Sequence, residues 1–277
     1  MKKPISHIPP KLRRDKLCDY YMKPTCPLLF SRSRMKRFTV GITALISVVF
    51  LSGCTSYVKK STTFDSNISR TKVIAVMPAD IEVYQFSAGG IRELMDEWSD
   101  QAKELVRQAL EKHFASRYGF EIKFIDEKWL KENDKELWET NRGLYTAVAV
   151  SALLHAYPGP NTFPDKIKNF DYTLGEEIQA LAKLCGADAL LFIHGFDHEA
   201  TAGRVALFWW NVLMGVATGV TILPTNPSFM AMGLADGTTG EVEWFKINPP
   251  ETEYSFRNQN HMDSLIEWMT RDFLRKK

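Results

Sequence analysis

The sequence predicts an α/β fold, a single domain with a mixed β-sheet and helices packed against it. Short, apolar, β-branched runs typical of buried strands occur at residues 73–78 and 187–197. Apolar residues recur at helical spacing over residues 91–114, which predicts an amphipathic helix. Residues 228–247 hold two strand-like runs around a Gly-Thr-Thr-Gly turn and predict a β-hairpin. Strands alternating with helices in this order are typical of the α/β class.

The remaining elements follow in order from local signals. Gly119 is expected to end the first helix, and residues 120–126 alternate apolar and polar residues as a half-buried strand does. Residues 79–90 are expected to form a loop, and residues 127–157 are expected to be helical. A further helix is predicted over residues 174–185, where a Thr173/Glu176 capping box begins it and Gly186 ends it. A final amphipathic helix is predicted from the apolar residues Met262, Leu265, Ile266, Trp268, Met269, Phe273 and Leu274.

The charge of the chain is unevenly distributed. Residues 1–53 hold 11 of the 35 Lys and Arg residues but only 2 of the 33 Asp and Glu residues, so the remainder carries a net charge near −7. Nucleic-acid binding relies on a positive surface. Nucleic acid is therefore not expected as a partner.

Residues 35–53 have the organisation of a signal peptide. Lys36 and Arg37 precede an uncharged apolar run of 14 residues, Phe38–Leu51, which is the length of a signal-peptide apolar region. A spanning helix would need roughly 20 residues. The run closes on Leu51-Ser52-Gly53-Cys54.

This tetrapeptide resembles the lipobox of bacterial lipoproteins. The resemblance implies that a membrane peptidase recognises Leu51, Ser52 and Gly53, and that Cys54 takes diacylglycerol and then an acyl chain to anchor the protein. Position 55 is Thr rather than Asp, which under the sorting rule of that group favours the outer membrane with the domain facing the periplasm. The alternative is an ordinary signal anchor, or a buried helix that ends in Cys.

The segments on either side of the signal peptide carry weaker signals. Residues 1–34 have no helical or strand period, and are either a non-native leader with translation starting at Met35 or an unusually long amino-terminal region of the signal. Residues 54–71 are rich in Ser, Thr and Lys and predict a flexible lipidated tether before a domain over 72–277. After cleavage Cys185 is the only remaining thiol, and its apolar helical setting predicts a buried structural cysteine.

Two local patterns connect the predicted domain to a known group. They are Leu-Cys-Gly-Ala-Asp at 184–188, at a helix-to-strand junction, and Asp236-Gly-Thr-Thr-Gly-Glu241 in the hairpin. Together with the element order they resemble the periplasmic domain of the curli-secretion-channel lipoproteins and of their relatives, the peptidoglycan-synthase-activator and exopolysaccharide-export lipoproteins. The resemblance implies a non-enzymatic envelope protein, and the chain departs from it at residues 127–170 and 205–223.

His194 and His198 are weak candidates for a metal site. On a strand they point to the same face about 13 Å apart at ~3.3 Å per residue, which is too far for one ion, whereas on a helix they would be neighbours. The Leu-Leu-Phe-Ile run before His194 favours a strand. Ordinary polarity at the end of a buried strand is the preferred interpretation, and no cofactor is expected.

The uncharged run over residues 205–223 is 19 residues long and contains Trp209 and Trp210. Its length permits a membrane span. It is either a buried core segment or a surface that inserts in the membrane or binds a partner, with Trp209, Trp210, Leu213 and Met214 as candidate contacts.

The sequence therefore predicts a lipid-anchored, non-enzymatic binding or assembly factor in secretion, transport or envelope biogenesis. Its expected partners are the membrane through Cys54, other envelope proteins and further copies of itself. One alternative is an oligomeric channel component that inserts residues 205–223 in the membrane. A second alternative is a periplasmic metal-dependent hydrolase.

Overall fold

A computed structural model describes residues 57–87, 89–201, 228–249 and 254–273. The predicted signal peptide (residues 35–53), Cys54 and residues 205–223 lie outside the described residues. The strands are β1 (Val58–Lys60), β2 (Val73–Val76), β3 (Asp80–Phe86), β4 (Arg92–Leu94), β5 (Glu121–Phe124), β6 (Ala189–Ala200), β7 (Ser228–Asp236) and β8 (Val242–Ile247). The helices are α1 (Phe64–Ile68), α2 (Asp96–Leu110, continued by a π-helical turn Glu111–Ala115), α3 (Ser116–Tyr118), α4 (Glu127–His155), α5 (Pro164–Lys168), α6 (Ile178–Cys185) and α7 (Gln259–Thr270).

The eight strands form one mixed sheet, which confirms the α/β class. Its order is β1-β8-β7-β6-β2-β5, with β3 pairing to β6 and β4 pairing to β3. The β6-β2-β5 and β3-β6 pairs are parallel, and the other pairs are antiparallel. The parallel pairs need crossover connections, and helices α2, α4 and α6 lie within those connections.

Apolar side chains alternate between the two faces of the sheet and build two cores. On β6, Leu191 and Ile193 face the core shared with α1, α2 and α7. Leu190 and Phe192 face the other core, which α4 and α6 cover. Because successive residues of a strand point to opposite faces, an unbroken apolar run is what a strand buried on both sides requires.

The long strand β6 is paired on the same edge by two shorter strands in succession. Ile74–Val76 pairs with Ala189–Leu191, and Asp80–Phe86 pairs with His194–Ala200. Between them lies Pro78, which has no amide hydrogen for the ladder. β3 thereby extends the sheet beyond the end of β2.

The domain begins earlier than predicted. Residues 57–71 were expected to belong to the tether, but β1 pairs with β8 and α1 buries Phe64 and Ile68. Phe64 packs edge-on against Phe273, with ring centroids 5.7 Å apart. The Ser, Thr and Lys content of the segment indicated solvent exposure, but two apolar residues at i, i+4 spacing suffice to fix one helical turn on the core.

The predicted loop over residues 79–90 and the predicted start of the first helix are both wrong. Residues 80–86 form β3, and residues 92–94 form β4, with Tyr84 opposite Leu94. The helix begins only at Asp96, and Ile91 is 71% exposed rather than part of its buried face. Local spacing extended the helical period through 91–95, but pairing with β3 determines the backbone there.

The predicted capping box at Thr173 is also wrong. The Thr173 hydroxyl accepts a hydrogen bond from the Gly175 amide (3.0 Å), but Gly175 has φ +74° and helix α6 starts at Ile178. The Leu174 amide instead donates to the carbonyl of Gly240 (2.7 Å). A residue with positive φ cannot continue a right-handed helix, so the segment packs on the hairpin turn before the helix begins.

The other predicted elements are confirmed with shifted ends. Gly119 and Gly186 end their helices with φ +75° and +59°. Helix α4 spans the predicted helical region with a break at Asp134, whose carboxylate accepts a hydrogen bond from the Leu137 amide and starts the second half. Cys185 is buried, and burial raises the pKa of its thiol to about 11.

Candidate functional site

The structure places His194 and His198 on β6, on the same face of the sheet and in different surroundings. His194 Nδ1 lies 3.4 Å from Asp80 Oδ2, and Arg142 of α4 donates to Asp80 Oδ1 at 2.8 Å. Burial alone would raise the pKa of Asp80, but the contacts of His194 and Arg142 lower it to about 2. His194 therefore lies beside the Asp80–Arg142 ion pair that joins the sheet to α4.

The ring of His198 lies among aromatic side chains. It stacks on Tyr84 with centroids 5.3 Å apart at 17°, and Phe196 meets it edge-on at 5.2 Å. Arg92 Nη1 lies 3.4 Å from its Nε2, and the Arg92 guanidinium is 4.5 Å from the centre of the Tyr84 ring. Within the described ranges no group of three His, Cys, Asp or Glu side chains is arranged to hold a metal ion.

These rings belong to a larger surface at the end of the sheet, which we call the distal aromatic face. It consists of Tyr84, Phe86, Phe196, His198 and Phe229. Tyr84 pairs in register with His198, and Phe196 with Phe229, so the rings occupy neighbouring positions on three strands. All except His198 are partly exposed. The His198 position could be predicted from sequence, but its neighbours on β3 could not, because that segment reads as a loop.

The connection between β6 and β7 starts and ends beside this face. Asp197 pairs with Ser228, so the chain leaves and re-enters the sheet at the distal aromatic face. The connection contains the apolar run over 205–223 with Trp209, Trp210, Leu213 and Met214, all outside the described residues. Among the helices that the structure describes, none has the length and apolar character needed to cross a membrane.

Carboxylates at the end of β6 hold the segment before α7. Asp197 is fully buried and accepts a hydrogen bond from the Phe256 amide at 2.8 Å. Glu199 accepts from the Ser255 hydroxyl (2.5 Å) and pairs with Arg257 (3.1 Å). Burial, helped by the nearby charge of Glu199, raises the pKa of Asp197 to about 7 even though the Phe256 hydrogen bond acts to lower it.

This burial gives an expected pH dependence. Between about pH 4 and 7 the folded protein keeps a proton on Asp197 that the unfolded chain, with the ordinary pKa of 3.8, has lost. The free energy of unfolding should therefore fall as pH rises through this range, by about 1.4 kcal/mol for each pKa unit. Asp197→Asn keeps an acceptor for Phe256 and should flatten this fall in urea titrations.

The matched control is Asp171→Asn. Asp171 is exposed, and its hydrogen bond with Lys166 lowers its pKa, so its titration affects stability only at more acidic pH. Buried Glu243, whose pKa burial also raises to about 7, should keep part of the slope in both variants. A full slope in Asp197→Asn would show that Asp197 does not titrate there.

A cavity of about 280 Å³ lies at the carboxyl ends of the parallel strands β2 and β5. Ligands of α/β proteins commonly bind at such strand ends. The side of this cavity formed by α2 is charged, but Lys103 pairs with Asp100 at 3.1 Å, and Arg107 pairs with Glu104 at 2.6 Å. Both basic side chains are thus ion-paired with carboxylates of the same helix and are not left to bind an anionic ligand. The distal aromatic face is therefore the stronger candidate for the functional site.

Comparison with known proteins gives only distant likenesses. No family model matches the chain, and no curated protein matches it. Among solved structures, the PelC dodecamer from Paraburkholderia phytofirmans is 9% identical with a TM-score of 0.32, over 75% of this chain and 91% of that one. The LpoB C-terminal domain from Salmonella enterica is 13% identical with a TM-score of 0.25, over 68% of this chain and 93% of that one. Both are weak matches of fold alone.

Proposed function

We propose that this chain is a lipid-anchored protein of the outer membrane whose periplasmic domain binds other envelope proteins and supports secretion, transport or envelope assembly. The anchor is Cys54, and the binding surface is the distal aromatic face. In this proposal the protein acts by docking, and it performs no chemical step.

The observation that carries the proposal is the distal aromatic face itself. Tyr84, Phe196 and Phe229 are partly exposed on adjacent, paired strands, which hold the rings at fixed spacing. Aromatic side chains bury a large area at low entropic cost and dominate the energetics of protein interfaces. Glu82 of β3 and Arg92 of the neighbouring strand β4 provide charged groups at the margin of the face. A rigid aromatic centre with charged surroundings suits a protein partner.

The expected location of the protein supports a partner in the cell envelope. The tetrapeptide that ends in Cys54 resembles a lipobox, and Thr55 favours transport to the outer membrane. The chain after residue 53 is acidic, near −7, which suits neither nucleic acid nor attraction to an anionic bilayer over the whole surface. Partners in the periplasm or in the membranes that border it are the ones within reach.

The proposal is tested by comparing the envelope proteins that the wild-type protein and its variants capture. Lipidated protein is used to capture partners from envelope extracts, alongside the double variant Tyr84→Ala, Phe196→Ala and the control Trp129→Ala. Trp129 is 38% exposed at the start of α4, so its loss removes a large aromatic ring from another surface. We expect the double variant alone to lose specific envelope proteins. Capture of the same proteins by all three would contradict a docking role for this face.

A further inference from the structure

Four large apolar side chains are exposed together at the end of α4 and along the chain that follows. They are Val150, Leu154, Phe163 and Ile167, with exposed fractions of 47%, 44%, 52% and 41%. We call them the anchor-proximal face. In the described ranges the other exposed large apolar side chains are Ile91 (71%), Leu94 (45%) and Trp129 (38%). Residues 143–154 of α4 contain no charged residue, so the exposed side of this helix is apolar as well.

The anchor-proximal face is held in a fixed arrangement. The Phe163 ring stacks on His155, with centroids 4.2 Å apart and the planes within 3°. The Phe163 amide donates to the His155 carbonyl at 3.1 Å, and the Thr162 hydroxyl donates to the carbonyl of Tyr157 at 2.7 Å. These contacts tie the loop before α5 to the end of α4. The exposed ring of Phe163 is therefore held in place by stacking and by hydrogen bonds of its loop.

Direct contacts connect this face to the first residues of the domain. The Tyr157 hydroxyl donates to the Tyr57 carbonyl at 3.2 Å. Lys59 of β1 donates to the Ile167 carbonyl at 3.5 Å, and its ammonium lies 5.4 Å from the centre of the Tyr157 ring. The start of β1 and helix α5 are thus immediate neighbours.

The covalent chain sets how far this region lies from the proposed lipid. Cys54 precedes Tyr57 by three residues, and an extended chain covers at most about 3.6 Å per residue, or about 11 Å in all. A lipid on Cys54 would therefore hold the start of β1 within about 11 Å of the bilayer surface. The expected long tether over 54–71 would not have imposed this limit, but residues 57–71 are folded.

We propose that the anchor-proximal face rests on the bilayer that holds the Cys54 lipid, with its apolar side chains in the headgroup region. This inference rests on the proposed lipid attachment and adds a second contact that orients the domain. Lys59, Lys166 and Lys168 lie around the face beside Asp165 and Asp171. The local charge is therefore slightly positive, and apolar contact is the main attraction to the lipid.

Part of the distal aromatic face lies far across the sheet from β1. Strand β1 lies at one edge of the sheet, and β3 is four strand positions away. Adjacent strands are separated by about 4.8 Å, so the two strands are roughly 19 Å apart across the sheet. Tyr84 and Phe86 on β3 are therefore laterally displaced from the bilayer contact proposed near β1.

A site-specific probe tests the proposal. Full-length Phe163→Cys protein, purified from membranes and carrying its lipid, is labelled with an environment-sensitive fluorophore and reconstituted in vesicles of phosphatidylethanolamine and phosphatidylglycerol. The buried Cys185 thiol, whose pKa burial raises to about 11, should not compete for the label. The matched control is Ile91→Cys, which is more exposed and lies on the β3–β4 side of the sheet. A quencher attached to lipid chains should quench the label at 163 several-fold more than the label at 91.

Flotation of the vesicles separates the two proposals. Protein that floats with vesicles but shows equal lipid quenching at both positions would retain its anchor and overturn the bilayer contact alone. A label at 163 shielded from both the lipid quencher and aqueous iodide would indicate a protein contact, and would also overturn it. Protein that fails to float would contradict the lipid anchor, and with it the proposed orientation of the domain.

Discussion

We expect Gly240→Ala to cause the largest loss of stability of any single methyl addition in the described fold. Gly240 has φ +74°, a conformation that costs an L-residue roughly 1–2 kcal/mol. A Cβ there would also overlap the carbonyl oxygen of Gly175 and lie 2.9 Å from its carbonyl carbon. Neither backbone can withdraw freely, since the Leu174 amide donates to the Gly240 carbonyl at 2.7 Å. The free energy of unfolding should fall by about 4 kcal/mol or more.

Gly119→Ala is the matched control for this prediction. Gly119 has nearly the same backbone angle, φ +75°, but no atom lies within 4 Å of the place its Cβ would take. This variant should lose only the roughly 1–2 kcal/mol of backbone strain. Urea unfolding of both variants measures the difference. Equal losses would mean that the turn around Gly240 does not pack on Gly175 as described.

The large loss of stability expected at this turn arises from a contact between distant parts of the chain. Gly240 lies between β7 and β8, whereas Gly175 precedes α6, so the contact joins segments 65 positions apart in sequence. In the sequence, the Gly-Thr-Thr-Gly turn and the capping pattern at Thr173 are two separate signals. Only the folded chain shows that the second is determined by the first, through the hydrogen bond from Leu174 to Gly240.

Elements with a strong local pattern could be predicted from the sequence. The strand around Leu190–Ile193 is apolar without a break because both faces are buried, and the hairpin of β7 and β8 contains its own turn. Helix α4 is long enough for its period to be visible despite the break at Asp134. In each of these cases the decisive interactions lie within or next to the element.

Elements that depend on distant partners could not be predicted. Residues 80–86 alternate apolar and polar side chains, but Pro78 before them and Gly89-Gly90 after them indicated a loop. Their strand forms because the second half of β6 offers an edge beyond the end of β2. Residues 57–68 lack a long apolar run and are ordered by β8 and by the core around Phe64.

The candidate site shows the same division. That His194 and His198 share one face follows from strand periodicity and is observed. Their separate roles depend on Asp80 and Tyr84, which arrive from β3 in register, and on Arg142 of α4. A prediction that places residues 79–90 in a loop cannot assemble the distal aromatic face, because two of its five rings lie on β3.

The second large effect is expected from Cys54→Ser. With an oxygen in place of the thiol sulfur, the thioether that would attach diacylglycerol cannot form. Cleavage before position 54 and acylation of the new amino terminus, which follow this attachment, should therefore stop. The variant should retain the residues before position 54 and should carry no attached lipid. Cys185→Ser is the control, because the Cys185 thiol is buried in the folded domain and should have no part in anchoring.

The intact mass of the protein isolated from cell membranes tests the central claim most directly. We expect a polypeptide that begins at Cys54 and carries added diacylglycerol and acyl mass, found in the outer-membrane fraction. The Cys185→Ser protein should give the same lipid mass, and the Cys54→Ser protein should give none. A wild-type chain that begins elsewhere, or that begins at Cys54 with an unmodified thiol, would contradict the account.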